Sequence, residues 1–204
     1  MSIPVVADAD TLFSATTRGL LVYLDYGGLI RLHWSPLILD EMSRALVDTG
    51  RKKTVEQAKA HEARLQDALP NALVSVAEVQ AQLRHVAHAV NSAKDTHVAA
   101  CAYHLIASDL YPHAEAVVLT SRNIKDFNAD ALDQLGIELR LPDRFLGGLF
   151  DMKPRLFAAA FRQFRLDLVS KPDPAVLLQK LSNDGQVRIA GALSAAYSAG
   201  VVRL

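Results

Sequence analysis

Short runs of β-branched and aliphatic residues alternate along this chain with stretches in which apolar positions recur every three or four residues. That switching of period predicts strands separated by helices. Ile3, Val5 and Val6 mark a first strand over about residues 3–7. SATTRGLLVYLDYGG reads as a helix stopped by Gly27 and Gly28, and LIRLHW as a second strand. In SPLILDEMSRALVDTG, Ser35 is placed to cap a helix, Pro36 takes its first position and Gly50 ends it. TVEQAKAHEARLQDAL continues as helix and NALVSV as a short strand. KDTHVAACAYHLIAS sets Val98, Ala102 and Leu105 on one helical side. EAVVLTS is a buried strand, and IELRLP is the last, stopped by Pro142.

Such alternation predicts an α/β fold with a central, mostly parallel sheet covered on both sides. From about Pro142 the pattern becomes helical throughout, in DRFLGGLF, MKPRLFAAAFRQFRLDLV and DPAVLLQKLSNDG, with KPDP at 171–174 as a breaker. The expected division is a domain over residues 1–150 and a helical C-terminal extension over 151–204.

Composition narrows the functional classes. Half of the 204 residues are hydrophobic, enough for a substantial core, and 22 basic residues balance 22 acidic ones. That balance carries no electrostatic signature of a general nucleic-acid binder and leaves room for a local basic rim. The single cysteine, Cys101, excludes an internal disulfide and lies in the apolar run VAACAYHLIA, where a buried structural thiol is expected. A reducing, cytoplasmic setting fits that usage. No stretch is long and uncharged enough to span a membrane, and MSIPVVADAD has no basic segment ahead of an apolar one, so no secretory leader is expected.

The chemistry-bearing candidates are acids at the ends of elements. Asp8 and Asp10 follow the first strand, where open α/β sheets place ligands. Capping of the next helix is the competing reading of this pair. Glu41 lies on a helix face between Leu37 and Ala45, Asp95 opens a helix, and Asp126 follows VVLTS in the turn RNIKDF beside Asn123. A helix-opening acid is favoured by the exposed amides without any catalytic task. A carboxylate set with few thiol or imidazole partners favours Mg²⁺ or Mn²⁺ over zinc. His85 and His88 are three apart but have no convincing third ligand. Trp34 is expected to anchor the helix after it, and His97 to pack, contact RNA or tune an acid.

At these residues the chain resembles the PIN-domain nucleases, in particular toxins of the virulence-associated protein C type. VVADADTLFSA resembles the opening strand with the first aspartate at Asp8. WSPLILDEMSRAL resembles the serine-capped helix carrying the second acid, at Glu41, and KDTHVAACA the alanine-rich helix opened by the third, at Asp95. VVLTSRNIKDF resembles the last motif, with Ser121, Asn123 and Asp126 as its polar groups. The resemblance spans about residues 3–150 and departs from the family pattern in two places. Asn123 stands where many PIN domains have an acid, and Lys94 where an acid often precedes the third aspartate.

The resemblance implies a three-layer PIN-like fold and Mg²⁺- or Mn²⁺-dependent hydrolysis of RNA, with a cognate antitoxin as partner and a homodimer as the assembly. Asp8, Glu41, Asp95 and Asp126 would hold the ion, with Asn123 completing the catalytic set. Arg18, Arg44, Lys94, Ser121, Arg122 and Lys125 are the candidate RNA contacts, and the apolar positions Leu21, Tyr23 and Leu24 the candidate dimer face. Two other functions compete. A haloacid-dehalogenase-like phosphatase also begins with DxD and binds Mg²⁺, but Leu12 stands where its threonine belongs and the downstream acid pair is absent. An inactive PIN-fold interaction protein is the non-enzymatic alternative.

Overall fold

A computed structural model describes residues 2–204. Its elements run β1 (Ile3–Ala7), α1 (Ala9–Phe13), α2 (Ala15–Tyr26), β2 (Ile30–His33), α3 (Pro36–Asp48), α4 (Val55–Ala68), α5 (Val76–Val86) and α6 (Thr96–Ala107). There follow β3 (Val117–Thr120), α7 (Ala129–Gln134), β4 (Ile137–Arg140), α8 (Pro142–Met152), α9 (Pro154–Asp167), α10 (Pro174–Asn183) and α11 (Val187–Ser198). The strands form one parallel sheet in the order β2-β1-β3-β4. Val5, Val6 and Ala7 are all fully buried. Since successive strand residues point to opposite faces, both faces of the sheet are covered, as a three-layer α/β fold requires.

Local chemistry sets the helix starts. Ser35 Oγ accepts from the Ile38 amide and Thr54 Oγ1 from that of Gln57, each at 3.3 Å. The expected strand in NALVSV does not form: Leu73 makes an isolated bridge to Trp34, and Ser75 instead caps α5 reciprocally with Glu78. The S-x-x-E spacing of that box outweighs the brief alternation before it. The expected helix after β1 is broken at Ser14 into α1 and α2.

Two compact units result. One comprises Ile3–Phe13 and Arg31–Arg140, and the other mainly Ser14–Ile30 and Leu141–Leu204. The divide thus falls at Leu141 and draws in an early helix, where the sequence pattern suggests one cut near residue 150. Within the second unit α2 packs on α9, and Leu21 and Leu24 are at most 1% exposed. These leucines fill the interior and are not offered as a dimer face, while the Tyr23 hydroxyl donates to Asp167 at 2.8 Å. Neither Ser14 nor Gln186 caps its helix by a side-chain bond. Distant aspartates do so: Asp184 accepts from the Thr16 and Thr17 amides, and Asp143 from those of Arg188 and Ile189.

Gly19 on α2 tests this packing. A Cβ there would sit 2.5 Å from two Phe164 ring atoms. Helix propensity alone favours Gly19→Ala by about 1 kcal/mol. The clash reverses the sign, so urea denaturation of Gly19→Ala should show a net loss of about 1–3 kcal/mol.

Candidate functional site

The strand order reverses between β1 and β3, and their C-terminal ends flank the switch point where ligands bind in open α/β sheets. Ala7 pairs with Thr120, so Asp8 and Ser121 leave the sheet side by side. Ser121 Oγ lies 2.8 Å from Asp8 Oδ2 and 3.3 Å from Asp10 Oδ2. Its single proton serves the nearer carboxylate. Asp10 is held by the backbone of the next two residues, with the Arg122 amide at 2.9 Å and the Asn123 amide at 3.1 Å from Oδ2. Thr11 Oγ1 adds a bond to the Thr120 carbonyl at 3.0 Å.

Asp8 is only 5% exposed. Burial, followed by the charge of Asp10, raises its pKa from 3.8 to about 7, and Glu41 pushes the same way. The Ser121 and Ala9 hydrogen bonds oppose this only in part. Burial also raises Asp10, against the Arg122 and Asn123 amides, the Thr11 hydroxyl and the Arg122 charge. Asp8 thus feels the negative charges of both Asp10 and Glu41 at the strand end, with no cation among the influences on it. Glu41 Oε2 lies 3.6 Å from His97 Nε2.

The remaining stations are tied in through the backbone. Asp95 occupies the cap position of α6, yet its carboxylate accepts no capping bond. The Asp126 carbonyl accepts from the Asn91 amide at 2.7 Å and the Ser92 amide at 3.3 Å, just ahead of the turn containing Asp95. Asn91 Nδ2 donates in addition to the carbonyls of Lys125 and Phe127. The loop 121–127 therefore grips Asp10 at one end and the lead-in to Asp95 at the other. Asp10 and Glu41 both act on Asp8, whereas Asp95 and Asp126 are linked to this group only through the backbone of the loop 121–127.

Several sequence-predicted contacts take other roles. Ser121 is fully buried and holds the two aspartates, so it is not a surface contact for RNA. Arg18 on α2 is 8% exposed, so its side chain is not offered to a ligand at the surface. Arg44 is exposed and pairs with Asp40 at 3.1 Å one turn away. Lys94, Arg122, Asn123 and Lys125 are exposed beside the loops just described. Asp10 is the residue the sequence reading undervalued. Its only signal is the two-residue spacing from Asp8, while its two amide donors lie 112 and 113 residues further along.

Comparison with family models, curated proteins and solved structures finds no match.

The donor set suits a hard divalent cation: oxygen ligands, one of them buried, whose mutual repulsion such a charge would relieve. Among the described residues no three His, Cys, Asp or Glu side chains already stand in coordinating positions. Mg²⁺ commonly uses one or two carboxylates and completes its shell with water, so the set fits on those terms. Cys101 is buried on α6, where burial pushes its thiol well above the ordinary range, and it takes no part. No helix among the described residues is long and apolar enough to cross a membrane.

The raised Asp8 pKa fixes the sign of a pH effect. From its ordinary 3.8 to about 7, the folded protein keeps a proton that the unfolded chain has released. Asp8 therefore favours unfolding increasingly as pH rises through that window, by at most about 1.4 kcal/mol per pH unit. Urea denaturation between about pH 5 and 8 without divalent ions should show this decline. Asp8→Asn should flatten the slope, and an unchanged slope would show that Asp8 is not the group responsible.

Proposed function

We propose that this chain is a metal-dependent endoribonuclease of the PIN type, acting in the cytoplasm as the toxin of a toxin–antitoxin pair. The observation that carries this reading is the buried, cation-free Asp8 at the switch point, joined to Asp10 by Ser121 and acted on by Glu41. The order of acids along the chain, with Asp95 opening α6 and Asp126 in the loop after β3, supports it through the family resemblance.

Asp8 and Glu41 would hold a Mg²⁺ or Mn²⁺ ion, with Asp95 and Asp126 reaching it through water or on substrate binding. A bound ion would supply Lewis acidity, lowering the pKa of an attacking water and stabilising charge on the phosphodiester. Asp10 holds the loop 121–127 in place, and the exposed Arg122, Lys125 and Lys94 would meet backbone phosphates. An antitoxin could silence the site by setting a cationic side chain against Glu41, whose side chain is 47% exposed. The phosphatase reading loses ground on one feature: Asp10 is committed to the amides of Arg122 and Asn123 and is poorly placed to exchange protons.

Two substitutions test the proposal. Asp8→Asn should reduce cleavage of varied RNAs with Mg²⁺ or Mn²⁺ by more than about 100-fold. At neutral pH without metal it should also raise the unfolding temperature, because a penalised carboxylate is gone. Asp95→Asn should abolish cleavage with little change in unfolding, since its carboxylate caps nothing. Full RNA cleavage by both variants would refute the assignment. Hydrolysis of a small phosphate ester with trapping on Asp8 would replace it with the phosphatase.

A further inference from the structure

His97 lies two residues beyond Asp95, on the first turn of α6. Its Nδ1 is 2.7 Å from the Lys94 carbonyl oxygen, which can only accept, so Nδ1 carries a hydrogen. In the neutral ring Nε2 is then a bare acceptor. It is buried and has no hydrogen-bond partner. The charged group facing it, Glu41 Oε2 at 3.6 Å, is also an acceptor. With the neutral ring two acceptors face each other, although buried polar atoms are nearly always satisfied in native proteins. A proton could fill that gap, and so could a cation.

We propose that Glu41 Oε2 and His97 Nε2 are two ligands of one first-row transition ion, with Mn²⁺ held in preference to Mg²⁺. The spacing suits this: donors 3.6 Å apart, each about 2.1–2.2 Å from an ion, subtend roughly 110–120° at it. A nitrogen donor changes the selectivity. Mg²⁺ sites are built from carboxylates, phosphates and water, whereas imidazole is a ligand of transition metals. The Lys94 carbonyl plays the part of the outer partner that metal-binding histidines commonly have, fixing the tautomer and the ring orientation. Lys94 thus contributes to the ion site through its backbone carbonyl. The inference rests on the nuclease reading for what the ion does, but capture of the ion can be measured without RNA.

The experiment is Mn²⁺ titration of the full chain, followed by electron paramagnetic resonance, with pulsed measurement of nitrogen coupling to the bound ion. Mg²⁺ affinity is measured in parallel by calorimetry. Wild-type protein should bind Mn²⁺ with a directly coupled ¹⁴N. His97→Gln should remove that coupling and weaken Mn²⁺ by on the order of 10–100-fold. Mg²⁺ affinity and thermal unfolding should change little. Bound Mn²⁺ without nitrogen coupling in the wild type would overturn this inference and leave the carboxylate nuclease standing. Coupling that survives His97→Gln would assign it to another histidine and overturn it equally. Absence of any divalent-ion binding would overturn both readings. The wild-type spectrum is decisive even if a variant folds poorly.

Discussion

The Asp10 carboxylate organises this site. It accepts hydrogen bonds from the Arg122 and Asn123 amides, and so stitches the chain just after β1 to the chain just after β3. Hydrogen bonds to a charged acceptor are stronger than neutral ones, which makes Asp10 a firm anchor for a loop of irregular backbone. That loop also orders the approach to α6 through the Asp126 carbonyl.

The same anchor creates an electrostatic cost. Asp10 brings a second carboxylate against a buried one, and Glu41 adds a third charge, so Asp8 is held toward its protonated form. The fold tolerates this because the cost is confined to one strand end and the surrounding sheet is wholly apolar at Val5, Val6 and Ala7. A buried carboxylate whose pKa is raised by burial and neighbouring charge is more often found at functional sites than at structural ones. His97 and Glu41 add a second frustrated contact beside the first, of a kind that a positive charge would relieve.

The helical segments illustrate how far local signals reach. Ser35, Thr54 and Ser75 each start a helix with a bond to an amide three residues on, and each is legible from the chain alone. For α2 and α11 the carboxylates that satisfy the first-turn amides come from Asp184 and Asp143, far away in sequence. No local pattern announces such a cap. The early helix α2 likewise joins the C-terminal helices because Gly19 admits the Phe164 ring, a fit visible only once both are placed.

By itself, the sequence determined the order of strands and helices, the α/β class and the placing of acids at element ends. Hydrophobic period, caps and breakers act over a few residues and are written in neighbouring positions. Only the tertiary structure decided which acids meet. Asp8 and Asp10 find Ser121 because parallel pairing of β1 with β3 sets Ala7 against Thr120, a register carried by the whole sheet. It also decided that Arg18 and Ser121 are buried and not offered to a ligand, since exposure depends on what packs above a residue. The bare Nε2 of His97 belongs to the same class of fact. Its tautomer comes from a carbonyl three residues back, but its confrontation with Glu41 exists only because α3 and α6 pack together.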